Sequence, residues 1–235
     1  MAGLRHDVVN NLHFVDDQQT VCYPVGHNVV KYSIEDKTQT YIPGIEGSEA
    51  ITCMAVHKEK KLLAVAERTE RTPIVQVYDL VTLKKKKTIT SNEHKKEHRD
   101  IISMAFCPKN EKWLAMLTCN PVQTLFLFQW DKPKMILMLL VNTSATGQMG
   151  NQVSFSTINQ NDILITGQST YMFYSVQPDQ TRIQNAKKTL NKKEQHISNN
   201  YTCHCWLQEG KFLIGTDQGD IIYCDGNGDY KGLLH

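Results

Sequence analysis

The segment that determines the architecture reads Ile101-Ile-Ser-Met-Ala-Phe106, Cys107-Pro-Lys-Asn-Glu-Lys112, Trp113-Leu-Ala-Met-Leu117 and, after a short gap, Leu125-Phe-Leu-Phe-Gln-Trp130. Two short apolar runs flank a charged turn, and a third apolar run follows. Runs of this length, bounded by turn residues, are typical of antiparallel strands. No helical period is sustained along the chain. The sequence therefore predicts an all-β fold.

The same order of strands and turns recurs along the chain. The ends of the first strands, Val56, Phe106, Phe155 and Trp206, are spaced by about 50 residues. Such self-similarity indicates a propeller or another repeat array. A shorter unit precedes them, with strands predicted from Val8 to Val15, Thr20 to Val25, Asn28 to Ser33 and Thr38 to Ile42. We therefore expect five units, the last of which lacks a complete outer strand.

Each unit is expected to form one antiparallel sheet that stacks on its neighbours, because a single sheet cannot bury both of its faces. The first two strands are the most apolar and should lie nearest the central axis. The fourth strands and the loops after them carry the charged runs, which should lie at the outer rim and discourage pairing between molecules. These runs are Lys84 to Lys87, Glu93 to Arg99 and Lys187 to Lys193.

Composition excludes several classes of protein. The 235 residues contain 26 Lys and Arg against 24 Asp and Glu, a net charge of +2, which argues against a dedicated nucleic-acid binder. No apolar run approaches the roughly 18 residues of a membrane helix, and the start lacks the apolar region of a signal peptide. The seven cysteines are scattered without a Cys-x-x-Cys pair, which predicts reduced, mostly buried intracellular thiols.

Several details resemble the WD repeat. Gly215-Thr-Asp-Gln-Gly-Asp-Ile-Ile-Tyr-Cys-Asp225 is similar to the strand, tight turn and strand of that family, and Asp217 and Gly219 suit the turn. Trp130-Asp131 is a literal WD dipeptide. Two departures are the absence of a Gly-His pair before a first strand and a period longer than the roughly 40–45 residues of standard repeats. The resemblance implies one WD-repeat β-propeller domain over residues 1–235, with repeats at about 7–42, 51–91, 101–142, 151–186 and 202–235.

A closer resemblance begins at the N-terminus and covers essentially the whole chain. The motifs that carry it are Gly3-Leu-Arg-His-Asp-Val-Val-Asn-Asn11, Tyr23-Pro-Val-Gly-His-Asn-Val-Val-Lys-Tyr32, Tyr41-Ile-Pro-Gly-Ile-Glu-Gly-Ser48, Ile102-Ser-Met-Ala-Phe-Cys-Pro108, Gln152-Val-Ser-Phe-Ser156 and Gly215-Thr-Asp217. Together they resemble the N-terminal propeller of the cilia- and flagella-associated protein 57 family, whose members are axonemal WD-repeat proteins.

That resemblance implies a structural role in the axoneme of motile cilia and flagella, as part of the cytoskeleton. Family members have N-terminal propellers and a long coiled coil, and they support the assembly or regulation of inner dynein arms. The coiled coil does not carry over, because the sequence has no heptad segment and stops at His235. We expect the five repeats to be part of a larger propeller, completed by another chain or by missing residues. The expected partners are axonemal proteins, among them inner dynein arm components and tubulin, with no nucleic acid and no membrane.

Three segments match the letters of metal sites. His94-Lys-Lys-Glu-His98 resembles an inverted zinc-protease motif, but it lies in a Lys-rich connection whose cations oppose Zn²⁺. Cys203-His-Cys205 is more simply a strand with buried cysteines, the two thiols facing one way and His204 the other. Asp225-Gly-Asn-Gly-Asp229 lacks the glycine and glutamate that a calcium loop needs, and a tight turn explains it better. We therefore predict no metal, no cofactor and no enzymatic activity.

One run is a candidate for docking: Lys84, Lys85, Lys86 and Lys87 could bind an acidic surface such as that of tubulin, although such runs are more often solvated turns. The function predicted is a non-catalytic axonemal scaffold or adaptor, in which shape and several weak surfaces act together. The alternative is a general cytoplasmic WD-repeat adaptor, such as a trafficking or ubiquitin-ligase subunit.

Overall fold

A computed structural model of the chain describes residues 4–8, 10–15, 19–57, 59, 61–90, 100–119, 122–132, 134–143, 149–176, 183–188 and 197–234. Within these ranges, twenty strands form five antiparallel sheets of four strands each. In every sheet each strand pairs only with its neighbours in the sequence, so that the first and fourth strands are the edges. The prediction of an all-β repeat fold is confirmed.

The five sheets are numbered in chain order. The first contains β1 (His13–Phe14), β2 (Thr20–Val25), β3 (Asn28–Ser33) and β4 (Gln39–Pro43). The second contains β5 (Ser48–His57), β6 (Leu62–Thr69), β7 (Ile74–Asp79) and β8 (Lys85–Thr90). The third contains β9 (Ile101–Phe106), β10 (Trp113–Thr118), β11 (Val122–Gln129) and β12 (Lys134–Thr143). The fourth contains β13 (Met149–Phe155), β14 (Asp162–Gln168), β15 (Thr170–Val176) and β16 (Ile183–Lys188). The fifth contains β17 (Tyr201–Trp206), β18 (Phe212–Thr216), β19 (Ile221–Cys224) and β20 (Tyr230–Leu234), and a short 3-10 helix at Gln208–Gly210 precedes β18.

Four apolar cores lie between successive sheets. The second and third sheets share a core in which Ala55, Ala64 and Ala66 meet Met104 and Phe126. The first strands of the second, third and fourth sheets lie side by side, since β9 contacts both β5 and β13. In strands with both faces buried, such as β6 and β10, apolar residues are continuous instead of alternating.

Two details of the predicted strands are wrong. The strand expected from Val8 to Val15 is reduced to β1, which has only two residues, although Val8 and Val15 themselves are buried in the core with the second sheet. The last sheet is not short of an outer strand, because β20 pairs with β19 after a tight turn. The other predicted strands of the first unit are present, each within one residue of the predicted bounds.

The first strands of neighbouring sheets are also joined by hydrogen bonds between a side chain and the backbone. Their partners lie 49 to 52 residues apart, which is one repeat along the sequence. These bonds are Thr52 Oγ1 to Ile101 O (2.7 Å), Val153 N to Ser103 Oγ (3.0 Å) and His204 N to Gln152 Oε1 (2.9 Å). These hydrogen bonds were not predicted from the sequence, although the polar residues that recur in the otherwise apolar first strands could have indicated them.

Candidate docking surface

The four lysines of the candidate docking run lie at the outer edge of the second sheet. Lys84 is in the turn before β8, and Lys85, Lys86 and Lys87 begin this edge strand. The side chains of Lys84, Lys85 and Lys86 are exposed, while Lys87 is half-buried. The rim position expected from the sequence is therefore correct, and the docking role itself stays a prediction.

Asp79 at the end of β7 organises the turn that carries these lysines. Its Oδ1 accepts hydrogen bonds from the backbone N–H groups of Val81 and Thr82, both at 2.9 Å, and its Oδ2 lies 3.1 Å from Lys86 Nζ. The Thr82 N–H and then the Lys86 ammonium lower the pKa of Asp79 to about 2. Lys86 is therefore compensated within the turn. Among the described residues, no ion pair involves the other three lysines.

The WD dipeptide Trp130-Asp131 lies at the end of the third strand of the third sheet, as Tyr78-Asp79 lies at the end of the third strand of the second. Trp130 follows β11, and its indole N–H donates to the Glu111 carbonyl at 2.7 Å. Asp131 Oδ2 lies 3.7 Å from Lys112 Nζ. The dipeptide thus secures the turn between the first two strands of its own sheet, which is a structural task.

The Cys203-His204-Cys205 segment corrects one prediction. The alternation is as expected, but Cys203 and Cys205 are exposed, whereas burial was predicted for them. The imidazole of His204 is buried between the fourth and fifth sheets, with Nδ1 2.7 Å from Thr166 Oγ1 and Nε2 2.5 Å from Ser154 Oγ. Burial lowers the pKa of His204 to about 3, so the ring is neutral.

Asp225-Gly-Asn-Gly-Asp229, the second described segment with metal-like letters, forms a turn. Asp225 Oδ1 accepts the backbone N–H groups of Asn227 and Asp229, both at 2.9 Å, and its carboxylate pairs with Lys231 at 2.8 Å. This is the predicted tight turn between β19 and β20. His94-Lys-Lys-Glu-His98 lies outside the described residues, as do most of the two other charged runs.

The predicted turn at Asp217 is present. The Asp217 carboxylate accepts hydrogen bonds from the Ser198 hydroxyl and, at 3.1 Å, from the Asn200 side-chain amide. Gly219 has φ of +91°, a conformation that a residue with a side chain rarely adopts, and its N–H donates to Thr216 O. The turn therefore ties β18 to the segment that leads into β17.

Sequence reasoning did not single out Glu67, a buried carboxyl between the first two sheets. Its side chain is 1% exposed and accepts the backbone N–H of Ile45 at 3.1 Å, and burial raises its pKa. Gly44 passes so close that an added Cβ would lie 2.9 Å from Glu67 Oε2. The group secures the connection between β4 and β5, and the side chain of Ser48, which begins β5, lies beside it.

Two further observations concern the described part of the chain. It contains no group of three or more His, Cys, Asp or Glu side chains placed to hold a metal ion. In the same ranges, no helix has the length and apolar character that crossing a membrane requires.

Sequence comparison connects the chain with ciliary proteins. It is 29% identical over 231 residues to cilia- and flagella-associated protein 57 of Mus musculus, a match that covers 97% of this chain and 17% of the relative. Cilia- and flagella-associated protein 57 A of Tetrahymena thermophila is 27% identical over 284 residues, covering 100% of this chain and 22% of the relative. Cilia- and flagella-associated protein 44 of Mus musculus is 24% identical over 213 residues, a match that covers 90% of this chain and 11% of the relative. The chain thus spans between 11% and 22% of the length of these relatives.

Two solved structures share the fold. A chain in the crystal structure of the mitotic checkpoint complex superposes with a TM-score of 0.72 at 11% identity, covering 99% of this chain and 66% of that one. The WD40 repeats of RRP9 superpose with a TM-score of 0.72 at 12% identity, covering 100% of this chain and 65% of the RRP9 chain. At this identity the similarity shows the WD-repeat propeller fold and nothing about function.

The family follows from a family model that matches most of the chain. A family model described as the CFAP43 N-terminal domain covers residues 11–228, which include the first four sheets and all but the last strand of the fifth. The similarity to cilia- and flagella-associated protein 57 confirms the resemblance drawn from the sequence. This chain therefore belongs to the CFAP43 N-terminal domain family.

Proposed function

We propose that the chain is a non-catalytic scaffold of the axoneme in motile cilia and flagella. The observation that carries this is the agreement of the family match with relatives that are all named as cilia- and flagella-associated proteins. The proposal includes a single propeller domain over residues 1–235, with the five sheets as its blades. The two similar structures of other function support the fold only, so they do not favour the general cytoplasmic adaptor.

The absence of catalysis is part of the proposal, and the contacts of the candidate reactive groups support it. His204 is neutral and is engaged by two hydroxyl groups between sheets. The Asp225 carboxylate accepts backbone N–H groups and pairs with Lys231. The Asp79 carboxylate likewise accepts a backbone N–H group of its turn and pairs with Lys86. Groups held in this way stabilise turns and sheet packing, and none of them is paired with a nucleophile in an open cleft.

The finer proposal is that the scaffold supports the docking or regulation of inner dynein arms and contacts tubulin through Lys84, Lys85 and Lys87. These three lysines lie at the rim of one rigid sheet, so they can approach an acidic surface together. Each lysine alone adds little binding energy at physiological salt, because the ions screen exposed charges over a Debye length of about 8 Å. Several such contacts on one rigid scaffold nevertheless add to a useful affinity.

The experiment has two parts. Tagged protein should fractionate with salt-washed axonemes, and deletion of its gene should impair ciliary beating while growth stays normal. A growth or trafficking defect with normal motility would instead support the cytoplasmic adaptor. Loss of inner dynein arm components from mutant axonemes would support the finer proposal, and their full retention would contradict it.

The lysine run is tested separately by microtubule cosedimentation. The variant with Lys84, Lys85 and Lys87 changed to Glu should lose binding, and added salt should weaken the binding of the unmodified chain. A control matched in charge changes three exposed lysines of the third sheet outside the run, Lys109, Lys132 and Lys134, to Glu. Equal loss in both variants would show that only net charge matters and would refute a docking role for the run.

A further inference from the structure

The outer strand of the third sheet differs from the other four outer strands in length and composition. β12 has ten residues, whereas β4, β8, β16 and β20 have five or six. After Lys134, β12 contains no charged residue, and the residues from Met135 to Val141 are all apolar. This strand therefore lacks the charged run that was expected at the outer rim.

The other four outer strands contain residues that discourage pairing at a sheet edge. A proline on an edge strand removes a backbone N–H donor, and a lysine adds a charge that has to stay in water. These residues are Pro43 at the end of β4, Lys85, Lys86 and Lys87 in β8, Lys187 and Lys188 in β16, and Lys231 in β20. In β12 the single lysine is the first residue, so the centre of the strand has no such protection.

The centre of β12 presents two large apolar side chains to solvent. Met138 is 48% exposed and Leu140 is 52% exposed. Met138 pairs with Phe126, which lies in the core with the second sheet, so Met138 and Leu140 lie on that side of the strand. Leu139 lies on the opposite side and packs against the core with the fourth sheet. Among the described strands β12 is an edge, so its outward backbone groups are available to another strand.

A second copy of β12 fits this edge in the antiparallel orientation. The register between β11 and β12 is regular from Leu137 to Leu140, so another strand can add to this segment without a bulge. When Leu139 lies opposite Leu139 of the second copy, Met138 of each copy lies opposite Leu140 of the other. Directly opposite residues share a face, so the exposed side chains of one copy cover those of the other. A two-fold symmetric dimer requires a patch that is complementary to itself in this way.

The position of the lysine favours the same arrangement. In antiparallel strands centred on Leu139, the two Lys134 residues lie at opposite ends of the pair, about 30 Å apart. Parallel strands would bring them side by side, and like charges in directly opposite positions destabilise a strand pair. Lys132, in the turn before β12, is separated from its counterpart in the same way. Charge therefore does not oppose the association of two copies at the apolar centre.

We propose that two copies of the chain associate through antiparallel pairing of β12 with β12, so that the third sheets of the two copies form one continuous sheet. This inference goes beyond the proposed scaffold role and does not rest on an axonemal location. The register with β11 shifts at both ends of the regular segment, which limits the new pairing to the centre of the strand. We therefore expect an association that depends on protein concentration.

The first test is cross-linking with a short bismaleimide in a mixture of two variants, Met138→Cys and Leu140→Cys. Both positions are exposed, so the variants should fold, and mass spectrometry distinguishes the linked peptides from reactions of the native thiols. The control is Tyr41→Cys, since Tyr41 is 52% exposed on the outer strand β4 but lies two residues before Pro43. The link between positions 138 and 140 should form at least about tenfold more than the link between two Tyr41→Cys chains, because pairing brings the two thiols together.

The second test is sedimentation equilibrium of the unmodified chain and of a double variant with Met138→Lys and Leu140→Lys. The unmodified chain should form dimers as its concentration rises, and the double variant should stay monomeric with an unchanged thermal midpoint. Dimers that persist in the double variant would overturn the proposal, because another surface then joins the copies.

Two further results would also contradict the pairing of two β12 strands. A monomeric unmodified chain without the link between positions 138 and 140 would do so, even where a strand of a different protein occupies the edge. Efficient linking of two Lys134→Cys chains would do so as well, because the antiparallel pair keeps these positions about 30 Å apart. Dimers together with the specific link support the proposal, whether or not the protein is found in axonemes.

Discussion

Acidification should weaken the packing between the fourth and fifth sheets through a single imidazole. His204 is 6% exposed, and its two ring nitrogens are hydrogen-bonded to the hydroxyls of Thr166 and Ser154. Ser154 in turn accepts the indole N–H of Trp206 at 2.7 Å. All these partners are neutral, so a proton on the ring would leave a buried charge without a counter-ion.

The magnitude follows from the two pKa values of the imidazole. In the unfolded chain the pKa is about 6.5, and in the folded protein burial lowers it to about 3. The unfolded state therefore binds the proton first, and the stabilising contribution, complete above the unfolded pKa, is lost as the pH falls from there towards 3. Between about pH 8 and about pH 5 this single group lowers the free energy of unfolding by about 2 kcal/mol.

The assay is urea denaturation of the chain and of the His204→Gln variant across that pH range. Glutamine can still form hydrogen bonds to both hydroxyls and does not titrate. The other histidines are present in both proteins, so their contribution cancels when the two stability curves are subtracted. The difference between the two proteins should change by about 2 kcal/mol. A His6→Gln variant, at an exposed position, should instead run parallel to the unmodified chain. Parallel curves for His204→Gln would refute the reasoning.

Gly167→Ala should destabilise the fourth sheet by more than about 2 kcal/mol, because the new Cβ would lie 1.8 Å from the Met149 carbonyl oxygen. Its control in thermal denaturation is Gly226→Ala, where the nearest atom to the new Cβ is 3.6 Å away and a change under about 0.5 kcal/mol is expected. Asp100→Asn should cost about 1 kcal/mol, because it weakens the two hydrogen bonds from Arg68 at 2.6 and 2.5 Å. That loss should shrink in high salt in urea denaturation, and a salt-independent loss would contradict an ionic origin.

The strand order could be predicted because repeated sequences fold into repeated sheets. The period of about 50 residues located the first strands of four sheets correctly. The first sheet was harder, since only two residues of its expected opening strand pair with β2. The outer strand β20 was missed because Tyr230-Lys-Gly-Leu-Leu234 has neither apolar alternation nor β-branched residues to mark it.

The contacts between sheets could not be predicted to the same depth. The positions of Asp79 and Asp225 in turns were evident from local turn chemistry. The hydrogen bonds of His204, in contrast, depend on two residues that are 38 and 50 positions away. Burial of Cys203 and Cys205 was expected from strand composition alone, but burial depends on whether a neighbouring sheet is present. A pattern within one strand contains no information about that neighbour.

The pairing of every strand with its neighbour in the sequence has a consequence for how the molecule forms. Hydrogen-bonded pairing requires only the closure of short turns, so each sheet can assemble as soon as its own residues are available. Contacts between sheets span only about one repeat, which keeps the mean sequence separation of contacts low for an all-β protein and favours rapid folding. During synthesis the sheets can therefore form in order from the N-terminus, each on the exposed face of the one before it.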